Sequence, residues 1–201
     1  MKAQTCTSIF NKAINNYHVE DHVDHPIANP YDAQTIENLL YRKCWIDTVQ
    51  WHLEDIIRDP EIDNNEGIKI KRRIDKSNQD RTDLVEQIDD WFNAELSHYT
   101  PNEDARLNTE SIAWVLDQIS ILCLKLFHMK EQVNRTDVSA DHAQKCQEKY
   151  NVLLEQEVDM TRSYSELLED IKSGKRVVKV YRQMKMYNDE SLNPILYQNK
   201  K

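Results

Sequence analysis

Polar and charged side chains interrupt the apolar stripes of two consecutive segments that read as helices. They are Asp47 in the first segment and Asn78 and Arg81 in the second, with Lys43 and Lys71 near them. A buried charge is tolerated when it is paired and hydrogen-bonded, so one interpretation is a structural ion-pair network that fixes how the helices align. The other is a pocket for an anionic metabolite, because a guanidinium can bind a carboxylate or phosphate through two parallel hydrogen bonds. Both interpretations stay open, and these five residues are the predicted ligand-binding set.

Two further groups contain residue types that bind metal ions. His18 and His22 are four residues apart and could bind zinc or another transition metal if they shared a helical face. The stretch around them, YHVEDHVDHPIANPYD, reads as a polar loop instead. Glu54 and Asp55 begin an acidic cluster similar to that of all-helical nucleoside triphosphate pyrophosphohydrolases, which hold magnesium between carboxylates. We interpret that cluster as a solvated helix face, and we predict no metal site and no cofactor.

His52 stands close in sequence to the same carboxylates and could act as a general base that one of them orients. Residues one or two positions apart on a helix point in different directions, so His52 and Glu54 are not a natural pair. A hydrogen-bonded core histidine is therefore the favoured interpretation.

Long helices are the elements that must position these residues. The 201-residue chain has only two Gly and five Pro, while 30% of its residues are charged, and so few chain breakers favour helices over sheets. Apolar periodicity predicts helices over 3–17, 33–58, from the PEIDNNEG link to about residue 98, 109–134 and 139–173. Their predicted N-caps include Asp32, Asp63, and Asn108 or Thr109, and Gly174 ends the last helix. The predicted fold is all-α: a single domain, 1–201, built as an antiparallel bundle of four to five long helices.

The second and third helices are joined by a short polar link, which predicts an antiparallel hairpin. Equal rise along both helices then pairs facing residues about the link. The predicted pairs are Leu40 with Val85, Cys44 with Arg81, Asp47 with Asn78, Trp51 with Ile74, and Glu54 with Lys71. This alignment puts the polar residues Asp47, Asn78 and Arg81 inside the seam.

The charge distribution bears on partners and location. The net charge is −9, which opposes binding of duplex DNA or an anionic membrane, and no segment approaches the ~18 apolar residues of a membrane span. From residue 174 onward the chain carries seven Lys or Arg against Asp189 and Glu190, so this tail, 174–201, is basic. We expect it to pack on the acidic bundle, as either a helix or an extended segment, rather than bind nucleic acid. Four scattered cysteines without a CxxC pair, and no signal peptide, indicate a cytoplasmic protein.

Three motifs resemble a bacterial domain family of unknown function whose members have about this length. They are WIDTVQWHLEDIIRDP, IKRRIDKSNQDRTDLVEQID and YRQMKMYNDESLNPIL, at residues 45–60, 70–89 and 181–196. The resemblance implies an all-helical protein and no particular activity.

The function that these observations favour is that of a cytoplasmic scaffold or partner-binding protein. The apolar residues Cys146, Leu153, Met160 and Leu167 repeat with heptad spacing, which predicts self-association into a homo-oligomer through the 139–173 helix. The alternative is a small enzyme or sensor that binds an anionic metabolite inside the bundle, with a metal-dependent nucleotide hydrolase less favoured.

Overall fold

Five α-helices make up most of the described chain. The computed structural model describes residues 1–183 and 190–192. The helices are α1 (Ala3–Glu20), α2 (Ile36–Ile57), α3 (Asn64–Leu96), α4 (Ile112–Val133) and α5 (Ala140–Lys172). Strand β1 (Arg106–Asn108) lies between α3 and α4, strand β2 (Arg176–Val178) follows α5, and a 3₁₀ turn is formed at Glu190–Leu192. The prediction of an all-α bundle with four to five long helices is confirmed.

Side-chain caps set the starts of four helices, because the first N–H groups of a helix lack partners within it. Asp63 caps α3 by accepting from the amides of Asn65 and Glu66, as predicted, and Ser139 caps α5. Two predicted caps were wrong, since Thr35 caps α2 and Ser111 caps α4. The carbonyl of Asp32 instead accepts from Thr35 in the turn before the helix.

Helix α1 continues beyond its predicted end and includes His18. It ends at Asp21, which has a φ of 47°, a left-handed conformation in which Asp is enriched among non-glycine residues. The amide of Asp21 donates to the carbonyl of Tyr17, which closes the last turn. The polar loop therefore begins three residues later than the sequence predicted.

The two strands pair in parallel, Arg106 with Arg176 and Asn108 with Val178. The turn before β2 depends on Gly174, whose φ is +75°, and a Cβ there would lie 2.7 Å from the side-chain oxygen of Asn102. The sequence analysis predicted no strand at 106–108, because three residues give no usable alternation. Farther along the tail, Arg182 forms an ion pair of 2.6 Å with Asp90 on α3, and the prediction that the basic tail packs on the bundle is confirmed as far as residue 183. Residues 184–189 and 193–201 lie outside the described part of the chain.

Helix α4 is the central element and contacts each of the other four helices. Apart from Leu122, its buried apolar residues belong to one continuous core that also includes residues of α1, α2, α3 and α5. By length and composition α4 could cross a membrane, which corrects the expectation that no segment approaches one, and 50% of its apolar window is buried in the bundle. Its place in the core accounts for this composition.

The α2–α3 hairpin forms, but its alignment differs from the prediction by nearly one helical turn. Asn78 and Ser77 hydrogen-bond to Gln50, at 3.0 and 3.1 Å, rather than facing Asp47. Leu53 packs against Ile74 in a small second core. The prediction took equal rise about the link to fix the facing pairs, whereas the contacts of Gln50 with Asn78 and of Leu53 with Ile74 place them nearly one turn away.

Candidate functional site

The second half of α2 presents side chains in three different directions, towards four neighbouring helices. Asp47 and Gln50 face α3 and α4, Trp51 faces α4 and α5, and His52 faces α1 and α4. Each of these directions carries a separate arrangement of chemically active groups.

The first arrangement is a buried ion network between α2, α3 and α4. The Nζ atom of Lys43 lies 2.5 Å from Asp47 and 2.9 Å from Asp117, and it also donates to the backbone carbonyl of Asp117 at 3.1 Å. Arg81 donates from Nε and an Nη to the two oxygens of Asp117, at 3.0 and 3.3 Å. Ser120 donates to Asp47 at 2.6 Å. Two cations and two carboxylates therefore compensate one another's charges where little solvent reaches them.

Burial is the main reason why the pKa of Asp47 is raised, and Asp117 raises it further, while the ammonium of Lys43 opposes both. One oxygen of Asp47, Oδ1, is buried without a hydrogen-bond partner among the described residues. It lies 4.0 Å from Nε of Arg81, so its charge is still partly compensated. Removing either cation would leave a carboxylate buried with too little compensation.

The structure separates the five residues of the predicted ligand-binding set. Lys43, Asp47 and Arg81 meet in the network, whereas Asn78 bonds to Gln50 and exposed Lys71 forms an ion pair with Asp75 on its own helix. Lys71 and Glu54 do not form the predicted pair, because Glu54 pairs with Arg58. The one-turn change in the hairpin alignment explains both differences.

Two members of the network were missed in the sequence, Asp117 and Ser120. Both stand in the most apolar helix of the chain, beside buried Leu116 and Ile119. A carboxylate at a core position of such a helix needs a cation close to it. The presence of Asp117 among apolar residues was therefore a signal in the sequence for a buried cation.

A cavity of about 280 Å³ adjoins this network on the α3 side. Its lining includes Asp47, Arg81, Glu54, Asp55 and Arg58, so it joins the two polar clusters that the sequence analysis treated separately. Arg58 already pairs with Glu54 at 3.2 Å and lies 3.8 Å from Asp55, and Arg81 is held by Asp117. Both arginines of the cavity are therefore already paired with carboxylates, and neither is available to bind an anionic metabolite.

The second arrangement is a groove between α2, α4 and α5, which we call the α4–α5 groove. Its volume is about 720 Å³. Apolar side chains form most of its wall, namely Trp51, Met129, Val152 and Leu153. The rest is lined by charged and polar side chains: Asp55, Lys125, His128, Gln132, Glu148 and Lys149. The volume is within the usual range of small-molecule sites.

The third arrangement is a cluster of His18, His52 and His128, from α1, α2 and α4. One ring nitrogen of each lies within 4.8 Å of the others, and Nε2 of His52 is 3.2 Å from Nε2 of His18. Burial lowers the pKa of His52, and the neighbouring His18 and His128 lower it further. The cluster therefore keeps His52 neutral near pH 7, the form that binds metal ions.

Of the four metal-ligand candidates in the sequence, the structure places one, His18, in the histidine cluster and the other three elsewhere. His18 belongs to the histidine cluster, but His22 is exposed and its Nδ1 accepts from the amide of Asp24. Glu54 and Asp55 pair with Arg58. The loop prediction at residue 18 concealed the cluster, because it removed His18 from the helix that carries it towards α2 and α4.

A sequence profile of a protein family matches residues 37–180 and is described as Protein of unknown function (DUF4254). The chain belongs to this family. The predicted membership of an all-helical family of unknown function is confirmed by this match. Comparison with curated proteins and with solved structures found no significant match.

The part of the chain that defines the family contains the ion network and the α4–α5 groove, together with His52 and His128. Helix α1, with His18, precedes it. The groove therefore lies entirely within the family domain, whereas the histidine cluster draws one of its three rings from outside the matched residues.

Proposed function

We propose that this protein binds a small anionic ligand with an apolar body, and that it does so in the α4–α5 groove. The observation that carries the proposal is the pair of lysines beside an apolar wall. Among the residues that the structure describes, the ammonium groups of Lys125 and Lys149 have no ion-pair or hydrogen-bond partner. An anion placed between them would form charge-assisted hydrogen bonds, while its apolar part covered Trp51 and Met129.

The two acidic residues of the groove, Asp55 and Glu148, both contact side chains of their own helices. Asp55 lies 3.8 Å from a guanidinium nitrogen of Arg58, and Glu148 accepts a hydrogen bond of 3.1 Å from Gln144. Gln144 is a neutral donor, so Glu148 keeps its charge, but the two lysines outnumber it and leave this part of the groove net positive. This keeps the anionic metabolite that the sequence analysis considered, but moves it from the seam of α2 and α3, where Arg81 is held by Asp117, to the other side of Trp51.

The test uses anilinonaphthalene sulfonate as the probe, since it combines fused rings with one negative charge and fluoresces on apolar surfaces. Wild-type protein should bind one probe per chain and change the fluorescence of its tryptophans. The double variant Lys125→Ala, Lys149→Ala should bind at least ~100-fold more weakly, because it loses two charged hydrogen bonds worth ~1.5–3 kcal/mol each.

Matched controls exist on the same two helices. Lys130→Ala with Lys145→Ala removes two exposed lysines that do not line the groove and should leave the affinity unchanged. Val152→Glu should block the groove, whereas Val158→Glu, at a site that is 56% exposed against 53% for Val152, should not. Equal affinities of the probe for wild type and for both groove variants would refute the proposal.

A second candidate function is self-association through α5, which would make the protein a scaffold. The heptad residues that first suggested it are taken up within the protomer, since Cys146 and Leu167 are buried and Met160 packs against the core. Leu154 and Val158, one turn apart, remain 39% and 56% exposed and favour an antiparallel contact with a second copy. Sedimentation should show a dimer at micromolar concentration that Leu154→Glu with Val158→Glu dissociates, and a wild-type monomer would exclude it.

A further inference from the structure

Three helices that are distant in sequence bring their histidines to one point. The ring centroids of His18, His52 and His128 form a nearly equilateral triangle with sides of 5.2, 5.2 and 5.5 Å. Tetrahedral zinc with Zn–N bonds of ~2.0–2.1 Å places its ligand nitrogens about 3.3 Å apart. The 3.2 Å between Nε2 of His18 and Nε2 of His52 already has this value.

Hydrogen bonds at the outer ring nitrogens set which nitrogens face the cluster. Nδ1 of His18 lies 2.7 Å from the carbonyl oxygen of Ile14 and therefore donates its proton to it, which leaves the lone pair on Nε2. Nδ1 of His128 donates to the carboxylate of Glu131 at 2.8 Å. A histidine that binds a metal usually donates its other nitrogen to a carbonyl or carboxylate in this way.

One of the facing nitrogens, Nε2 of His128, is not satisfied by the residues that the structure describes. Nε2 of His128 is buried and has no hydrogen-bond partner among the described residues. A hydrogen bond between His18 and His52 would satisfy only those two rings, so the third nitrogen remains unexplained by the protein alone. An ion at the centre would satisfy all three lone pairs together.

Aromatic neighbours hold each ring in place. Tyr17 stacks on His52 at 5.1 Å and Trp51 stacks on His128 at 4.9 Å, both with nearly parallel planes. The ring of Phe127 lies 4.2 Å from that of His18. This packing keeps the rings convergent before any ion arrives, as a preorganised site requires.

A carboxylate lies next to the triangle. Oδ1 of Asp21 is 3.6 Å from Nε2 of His52, and the left-handed conformation of Asp21 ends α1 at this point. The side chain of Asp21 is 58% exposed, so it can reach an ion from the solvent side. Three imidazoles and one carboxylate make a donor set that zinc and neighbouring divalent transition metals favour.

We propose that His18, His52 and His128 bind one divalent transition-metal ion of the zinc class, with Asp21 as its fourth ligand. The ion fastens the end of α1 to the second half of α2 and to α4. The site shares only the ring of His128 with the α4–α5 groove, so it stands independently of the proposed ligand. A structural role follows from its four protein ligands and from its position between three helices.

The experiment titrates full-length protein, first stripped with a chelator, with zinc chloride by calorimetry and with cobalt chloride by visible absorption. Wild-type protein should bind one ion of each metal, and cobalt should give the intense visible bands of a tetrahedral complex. His52→Gln and His128→Gln should each weaken zinc binding by at least ~100-fold, and Asp21→Asn by about tenfold.

The matched control is His22→Gln, which removes an exposed histidine one residue from Asp21 and should leave the affinity unchanged. Circular dichroism identifies any variant that fails to fold, and the cobalt spectrum of the wild type tests the site without substitution. The proposal is overturned if the wild type binds no zinc at equimolar amounts. It is also overturned if cobalt gives only weak octahedral bands, or if His22→Gln loses affinity as much as His52→Gln.

Discussion

The ion network and the histidine cluster both insert polar groups into apolar surroundings along one half of α2, yet they differ in how those groups are satisfied. In the network, Lys43 and Arg81 face the carboxylates of Asp47 and Asp117, and the charges cancel. Oδ1 of Asp47 accepts no hydrogen bond from the described residues, but Arg81 lies 4.0 Å away and compensates its charge. In the histidine cluster, three rings converge and the buried Nε2 of His128 has no partner in the part of the chain that the structure describes. A polar group that its own fold satisfies indicates a structural role, whereas convergent lone pairs that the fold leaves open indicate a ligand.

The largest expected effect is the loss of a network cation. Lys43→Ala removes an ammonium that is 1% exposed and leaves two carboxylates under-compensated, so the free energy of unfolding should fall by ~3–5 kcal/mol. The side chain of Arg81 is 25% exposed, so Arg81→Ala should lower the free energy of unfolding by less, ~1.5–3 kcal/mol. Urea denaturation measures both. A Lys43→Ala protein that unfolds like the wild type would contradict a structural network.

The next effect is stabilisation by metal at the histidine cluster. With free zinc at about 100 times its Kd, the free energy of unfolding should rise by ~2.7 kcal/mol, because the ion binds only the folded state. The midpoint of thermal unfolding should therefore rise with zinc and return to its starting value on addition of a chelator. His128→Gln should abolish the rise, whereas Lys43→Ala, if folded, should retain it. If zinc stabilised His128→Gln and Lys43→Ala equally, the ion would not be bound at the histidine cluster.

A smaller effect is expected from acid in the absence of metal. The pKa of His52 is lowered below its ordinary value of 6.5, first by burial and then by His18 and His128, while Asp21 and Asp55 oppose the shift. In the pH window between the native pKa and 6.5 the unfolded chain binds more protons than the native one, so stability should fall as pH decreases through it. Urea denaturation in chelator should show a weaker pH dependence for His52→Gln. Identical slopes would indicate that His52 is not held neutral by the fold.

The smallest effect should come from Lys71, which the sequence grouped with Lys43. Its ion pair with Asp75 is exposed and lies on one helix, so Lys71→Ala should change the free energy of unfolding by less than ~0.5 kcal/mol. The same urea denaturation measures it beside Lys43→Ala. A loss comparable to that of Lys43→Ala would show that exposure does not separate the two lysines.

The helices were predictable because their apolar periodicity, caps and lack of glycine are local properties. Asp47 and Arg81 could be placed at the helix seam because they interrupt an apolar stripe, and Lys43 could be placed near them. Asn78 and Lys71 were misplaced because the alignment of α2 and α3 depends on the geometry of the link, which changes every facing pair when it shifts by one turn. Whether the three central residues also bind a ligand stays a prediction, as do the homo-oligomer and the cytoplasmic location.

The all-α class, the approximate limits of the helices and the presence of charge near the core follow from composition and short-range periodicity, and the amino-acid sequence was enough to predict them. Which groups meet depends on how the helices pack in three dimensions. Asp117 comes to Lys43 and Arg81 only when α4 takes the centre of the bundle, and His18 comes to His52 and His128 only when α1 packs across both of their helices. These contacts join residues from helices far apart in the chain, and no local pattern encodes the packing that brings them together.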